Sequence, residues 1–244
     1  FGITFAPPKI DVEKLRAWKQ GVVDRLCGGI NTLAKKRDVR VIRGTAKFED
    51  SKTVKIDGPE SARLKFKNCI IATGSRAKKL PESVLPAACC IDSTGALDLE
   101  NIPKTLLVVG GGYIGLELGQ VYASLGSQVT VIEALDRICA GADPVLARVL
   151  ETKPKKQFAA IMTGTKLESG KPVKGGVEIT YSKDGKSQSA LFEKVLVSVG
   201  RQPNSDNIGI EHTKVVVNAR GFIEIDNQRR TADKKIFAIG DVAG

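Results

Sequence analysis

At 244 residues the chain is long enough for two domains with sizeable cores, and 42% hydrophobic residues with 25 glycines exclude a disordered polymer and suit an α/β protein. No apolar run reaches membrane-spanning length and no signal peptide opens the sequence, so a chain that is not secreted is expected, with no membrane span. The net charge of +11 is spread over short basic runs without interleaved aromatic residues, which points to solvated faces with some attraction for anionic nucleotides and away from nucleic-acid binding.

The first eight residues read as extended chain. Asp11 is placed to cap a long helix in which Leu15, Trp18, Val22, Leu26, Ile30 and Leu33 recur every three or four positions, giving an apolar stripe expected to face the core. Lys35, Lys36 and Arg37 suit its C-terminal, negative dipole end. Short strands are expected over residues 39–42, 45–48, 53–56 and 64–72. The last of these breaks at Thr73, Gly74 and Ser75, a small polar triplet that reads equally as a strand exit or as backbone able to touch a ligand. A proline-punctuated link with Pro81 and Pro86 leads to Asp92, a candidate helix cap, and Pro103 marks entry into the next unit.

Residues 105–133 carry the sharpest signal in the chain. Leu106, Leu107, Val108 and Val109 read as a buried strand, and Gly110, Gly112 and Gly115 form a glycine-rich turn. An apolar-periodic helix then runs through Leu116, Gly119, Val121, Tyr122 and Leu125. Residues 128–132 read as a second strand, and Glu133 ends it 23 positions after Gly110. A strand, a glycine turn, a helix and an acid about 20 residues on are the parts of a dinucleotide site. Gly110 allows the tight turn, Gly112 lets backbone approach a pyrophosphate and Gly115 lets helix and sheet pack closely. The helix N-terminus offers free N–H groups to the phosphates. A carboxylate accepts hydrogen bonds from two ribose hydroxyls and repels a 2′-phosphate, so Glu133 favours NAD over NADP. The competing reading is a glycine-tolerant turn in a doubly wound sheet that binds nothing.

Beyond Glu133, a helix is expected over residues 144–156 with Val145, Leu146, Val149 and Leu150 as its apolar face, then a strand over residues 159–167. Residues 177–181 and 190–199 read as a hairpin about the Asp184-Gly185 turn, and the second run exits sharply at Gly200. A final apolar run, residues 236–239, ends at Gly240 and Asp241. The five cysteines (Cys27, Cys69, Cys89, Cys90, Cys139) show no CxxC or zinc spacing and are read as free thiols, with no metal site expected. His212, the single histidine, lies in a polar stretch and reads as a surface residue.

Six motifs in order resemble the flavin-dependent pyridine nucleotide–disulfide oxidoreductases: residues 43–48 (RGTAKF), 72–75 (ATGS), 110–119 (GGGYIGLELG), 131–133 (VIE), 199–204 (VGRQPN) and 239–241 (IGD). The resemblance implies an α/β fold in which a Rossmann-like NAD-binding domain, a parallel sheet plus a β-hairpin or meander, is inserted in an incomplete FAD-binding domain. The implied divisions are residues 1–75 as partial FAD-binding domain, 76–204 as NAD-binding domain, and 205–244 as the return to the FAD-binding or central region. It implies NAD contacts at Gly110, Gly112, Tyr113, Ile114, Gly115, Glu117, Glu133, Leu167 and Gly200. Tyr113 would lie over the flavin where nicotinamide stacks, and Glu117 would face a lysine beside the flavin. FAD contacts fall to Ala46, Thr73, Gly74, Ser75 and Asp241, the last accepting from a ribityl hydroxyl or, alternatively, capping a helix.

Within the family the motifs look most like those of enzymes that oxidise protein-bound dihydrolipoamide with NAD, through FAD and a redox disulfide. That likeness implies a homodimer working with the lipoyl domains and the core or peripheral-subunit-binding domain of a 2-oxo acid dehydrogenase complex, in a bacterial cytoplasm or the mitochondrial matrix. The family's N-terminal glycine fingerprint, its Cys-x4-Cys pair and its C-terminal His–Glu dyad have no match, and His212 precedes the Gly-Asp motif. An interior fragment with no catalytic residue of its own, inactive alone, is therefore expected. Another flavin-dependent reductase or NADH oxidase, and a non-catalytic nucleotide-binding or interaction module, are the alternatives.

Overall fold

A computed structural model of the chain describes residues 2, 6 and 8–244, without the side chains of residues 150–153 and 155. The extended reading of the first eight residues therefore falls largely outside the described residues, as does the side chain of Leu150. In chain order the elements are α1 (Val12–Lys36), β1 (Thr45–Asp50), β2 (Thr53–Asp57), β3 (Ala62–Lys65), β4 (Cys69–Ile71), β5 (Ser75–Ala77) and α2 (Ser93–Asp98). They continue with β6 (Thr105–Val109), α3 (Tyr113–Ser124), β7 (Gln128–Ile132), α4 (Pro144–Gln157) and β8 (Ala160–Met162). β9 (Thr165–Val173), β10 (Gly176–Lys183), β11 (Lys186–Phe192), β12 (Lys194–Val197), β13 (Arg201–Pro203) and β14 (Ile236–Ala238) complete the chain. They form two compact units, one of Phe1–Val23 with Ala77–Gly200 and one of Asp24–Arg76 with Arg201–Gly244. The fold is mixed α/β with parallel sheets.

In the first unit a parallel sheet runs β12-β6-β7-β8. Both faces are covered, which is why its strands are nearly continuous apolar runs. Alternation along each strand divides the core. Leu106, Val108, Val129, Val131 and Leu196 point to one face, where Ala96 of α2 and Leu116, Leu118 and Tyr122 of α3 meet them. Leu107, Val109, Ile132, Val195 and Val197 point to the other, against Val177, Ile179 and Phe192 of the antiparallel sheet β11-β10-β9. Asp92 caps α2 as its position indicates, accepting from the N–H groups of Thr94 and Gly95. Asp184 and Gly185 both have positive φ, 51° and 74°, and close the β10–β11 hairpin.

Several expected elements differ in their limits. The run 159–167 divides into β8 and β9 at Gly164, whose φ is +62°. The run 190–199 divides between β11 of the antiparallel sheet and β12 of the parallel one. Residues 39–42 form no strand, and Val39 and Val41 are exposed. Residues 64–72 hold the end of β3 and all of β4, separated by a bend.

Two apolar helix faces are not buried as the pattern suggests. Asp11 caps α1, accepting from the Lys14 N–H, but α1 contains no buried residue. Val12 and Leu15 pack against the core of the first unit, whereas Trp18 is 68% exposed and Leu26, Ile30 and Leu33 are also exposed. In α4, Val145, Leu146 and Val149 are exposed, whereas Ala147 and Pro154 are buried. Periodicity identifies an apolar face; burial also needs an apolar surface opposite it.

The second unit is built on the antiparallel sheet β1-β2-β3, the parallel pair β4–β14 and the pair β5–β13, which runs antiparallel, with Gly74 opposite Asn204. Its core gathers Phe48, Ile71, Ile210, Val215, Ile223, Ile236, Ala238 and Val242. Asp233 is buried there. Burial pushes its carboxyl up, but hydrogen bonds from the Ser51 hydroxyl and the N–H groups of Lys214 and Lys235 outweigh this and hold it below the ordinary carboxylate value. The Arg76 guanidinium likewise holds Asp206 down. With both depressed in the folded state, their stabilisation is present above the unfolded carboxyl value of about 3.9 and is lost as pH falls through the lower folded values. Acid titration of chemical stability should therefore show a loss beginning near pH 4, reduced in Asp233→Asn; an unchanged acid limb would contradict this assignment.

Candidate nucleotide sites

The glycine turn sits between β6 and α3 in the first unit. Gly110 has φ +107°, and a Cβ there would lie 2.5 Å from the Ser198 carbonyl oxygen, so both the turn and the neighbouring chain require glycine. At Gly115 a Cβ would run into the Gly110 carbonyl and the Ser198 hydroxyl. Gly112 differs. It is the N-cap of α3 in ordinary extended backbone (φ −74°, ψ 172°), and a Cβ would meet nothing within 4 Å. Nothing in the chain's own packing requires glycine there. The α3 N-terminus carries no side-chain cap, so its first-turn N–H groups remain available to an anion.

Glu133 stands where β7 ends, at the level of this turn. Its Oε2 accepts the Gly111 N–H at 2.6 Å and its Oε1 accepts the Leu135 N–H at 2.9 Å. The Gly111 carbonyl accepts the Cys139 N–H at 2.9 Å. Cys139 has φ +47°, and burial, then Glu133, push its thiol up. Tyr113 is 63% exposed at the start of α3, and Glu117 is exposed one turn further along. Ile114 is half-buried against the helix-side core, and Leu167 of β9 against the opposite core. Gly200, at φ +115°, accepts the Lys78 N–H through its carbonyl and has open space where a Cβ would stand.

Ser198 is a further part of this site. Its hydroxyl lies 3.1 Å from the Val109 carbonyl and 3.0 Å from that of Gly110, and its N–H donates to Val109 O at 2.8 Å. It holds the turn from behind. Its only sequence signal is its place two residues before the sharp exit at Gly200.

In the second unit, Thr73, Gly74 and Ser75 lead into β5. The Ser75 hydroxyl donates to Asp241 Oδ2 at 2.6 Å, and Arg201 Nε donates to Ser75 Oγ at 2.6 Å. Thr73 and Asn204 exchange two hydrogen bonds, Thr73 Oγ1 to Asn204 O at 2.7 Å and Asn204 Nδ2 to Thr73 O at 2.9 Å. Arg76 makes a two-pronged contact with Asp206, at 2.8 and 2.6 Å, and also reaches Asn204 Oδ1 at 2.9 Å. Asp241 thus faces Ser75, and the 3₁₀ turn Gly240–Val242 has Ile239 as its N-cap. Ala46 is exposed on β1. The tripeptide turn and the Gly-Asp motif come together through Ser75 and Asp241. Arg201 and Asn204, named in the sequence only as part of the 199–204 motif, support them, as do Arg76 and Asp206, which the sequence did not single out.

These features make candidate nucleotide sites in an α/β fold. Residues 4–244 match the family model described as pyridine nucleotide-disulphide oxidoreductase, and the chain belongs to that family. It is 40% identical over 242 residues to a dihydrolipoyl dehydrogenase of Geobacillus stearothermophilus, a match covering 99% of this chain and 51% of that protein. A dihydrolipoyl dehydrogenase of Vibrio cholerae is 40% identical over 245 residues, covering 100% of this chain and 51% of that one. The chain spans about half the length of the curated relatives it matches. The solved structure of the HOCl-induced flavoprotein disulfide reductase RclA from Escherichia coli superposes with a TM-score of 0.82 at 26% identity, over 94% of this chain and 52% of the other. Among the described residues no helix is long and apolar enough to cross a membrane.

Proposed function

We propose that the first unit binds NAD and the second supplies part of an FAD cradle, in a protein that as a whole oxidises dihydrolipoyl groups with NAD. The observation that carries the NAD reading is Gly112. A glycine with ordinary backbone angles and open space around it, at the uncapped start of a 12-residue helix, leaves room for a ligand's phosphates to approach the main chain. Glu133 fits the adenosine ribose, because an ionised carboxylate has about four acceptor positions and its bonds to the Gly111 and Leu135 N–H groups leave others for ribose hydroxyls. Gly110 and Gly115 hold the turn against Ser198. Tyr113, Ile114, Glu117, Leu167 and Gly200 are assigned to the same NAD groove.

For FAD, Ala46, Thr73, Gly74 and Ser75 offer backbone, and Asp241, oriented by Ser75 with Arg201 behind it, has its Oδ1 available to a ribityl hydroxyl. When bound, the flavin and nicotinamide supply the redox chemistry. The residues of this chain hold them, orient them and set their electrostatic surroundings. The divisions expected from the resemblance shift accordingly at their edges: residues 77–200 serve NAD, and residues 24–76 and 201–244, which hold Thr73, Ser75, Arg201 and Asp241, serve FAD.

The relatives named dihydrolipoyl dehydrogenase support dihydrolipoamide as the substrate class for the whole protein, with lipoyl domains and a 2-oxo acid dehydrogenase core as partners and a homodimer as its assembly. No two cysteines of this chain stand five apart, so these residues alone are proposed to bind nucleotide without turning over dihydrolipoamide.

Fluorescence titration of the chain with NADH and NADPH tests this reading. NADH is expected to bind at least about tenfold more tightly, equivalent to 1.4 kcal/mol, because Glu133 repels the 2′-phosphate. Equal affinities, tighter NADPH binding or no binding would overturn it. Lipoamide or diaphorase activity of these residues above background would overturn the proposal that they are inactive alone.

A further inference from the structure

Gly111 is the position that the glycine fingerprint leaves open to any residue, yet it is one of the most constrained in the turn. It is buried, and a Cβ there would lie 3.0 Å from Ile138 Cγ2 and 3.1 Å from Glu133 Cβ. Its N–H donates to Glu133 Oε2 at 2.6 Å and its carbonyl accepts from the Cys139 N–H at 2.9 Å, so the residue is held on both sides.

The carboxylate doing the holding is itself well anchored. The Glu133 N–H donates to Met162 O at 2.9 Å, and its carbonyl accepts the Thr165 N–H at 2.9 Å, fixing its backbone beyond the end of β7. Its second oxygen accepts from Leu135. A rigid strand end therefore delivers a charge-assisted hydrogen bond to the middle of the glycine turn.

We propose that Glu133 is a positioning residue for the glycine turn as well as a ribose ligand. Through the Gly111 N–H it sets the path of Gly110 to Gly112, and so the direction in which the first-turn N–H groups of α3 meet the pyrophosphate. The two roles do not compete, since the main-chain bonds leave acceptor positions on both oxygens. The inference rests on the NAD reading but extends it: Glu133 acts on the phosphate end of the site, which the ribose role alone does not require. A change of the acid intended to admit a 2′-phosphate would loosen the turn at the same time.

The test compares the unsubstituted chain with Glu133→Ala and Glu133→Gln, titrated with NADH and with its analogue lacking both adenosine-ribose hydroxyls. Glu133→Ala is expected to weaken NADH by about 100-fold and the dideoxy analogue by about tenfold, the range of charge-assisted hydrogen bonds. Glu133→Gln should fall between, since its amide oxygen still accepts. An unchanged affinity for the dideoxy analogue would confine Glu133 to the ribose and overturn the proposal. Hydrogen exchange without nucleotide separates this from failure of the NAD reading. The Gly111 amide should exchange about tenfold faster or more in Glu133→Ala, with the β7 amides unchanged. Unaltered Gly111 exchange overturns the clamp whether or not NAD binds, whereas faster exchange in a chain that binds no NADH retains the clamp on the turn and overturns its role in nucleotide binding.

Discussion

Gly112→Ala is expected to fold at least as well as the unsubstituted chain and to lose most of its NADH affinity. The added methyl meets nothing within 4 Å and the backbone is already in a region alanine adopts. Removing glycine's unfolded-state freedom should raise stability by about 0.4–1 kcal/mol. The same methyl stands where the pyrophosphate would approach, so NADH affinity should fall by about tenfold or more. Gly110→Ala, two residues earlier, should do the reverse: at φ +107° with the Ser198 carbonyl 2.5 Å from the new carbon, it combines backbone strain with a clash against main chain that has little room to move. A loss of about 2–5 kcal/mol is expected from those two contributions. Denaturant titration and NADH binding of the two variants decide it. Gly112→Ala that binds as before would remove the observation on which the NAD reading stands.

The second large effect is at Tyr122. It is among the largest fully buried side chains, packed where α2, α3 and the parallel sheet meet, and its hydroxyl donates to Ala96 O at 2.9 Å. Burial pushes the phenol up, in keeping with a neutral donor. Tyr122→Ala should cost about 3–5 kcal/mol by leaving a cavity. Tyr122→Phe should cost about 1–3 kcal/mol, because the ring still fills the site while the Ala96 carbonyl loses its donor. If thermal and chemical denaturation give equal losses for both variants, the packing contribution assigned to the ring is wrong.

The site was most legible where its determinants are local. β6, the turn, α3 and β7 follow from apolar periodicity and from glycines whose backbone freedom has no substitute, and β7 is found at the limits the sequence indicates, Gln128–Ile132. Ser198 was not legible. Its hydroxyl acts on carbonyls 89 and 88 positions earlier, and only the pairing of β12 with β6 brings them together. The same holds for Arg201 and Ser75, 126 positions apart, and for Arg76 and Asp206, 130 apart. Hydroxyls and guanidinium groups have no periodicity that marks their partners.

The helices show the complementary failure. The stripe of α1 correctly predicts a helix and its cap, yet Trp18, Leu26, Ile30 and Leu33 remain exposed. The apolar residues of α4 are treated similarly, with Ala147 buried and Val145 and Val149 outside. Local spacing says which residues share a face; it does not say what surface lies opposite.

The sequence by itself determined the order of elements around Gly110, the acid at Glu133 and the motifs of the family, because each depends on backbone permissions and side-chain periods confined to a few neighbouring residues. Only the tertiary structure decided that Gly110 and Gly115 answer to Ser198 while Gly112 answers to no residue of this chain, and that Glu133 is tied to Gly111. Those distinctions depend on which distant strand ends lie beside the turn. Pairing between strands fixes that, and no stretch of the chain carries it alone.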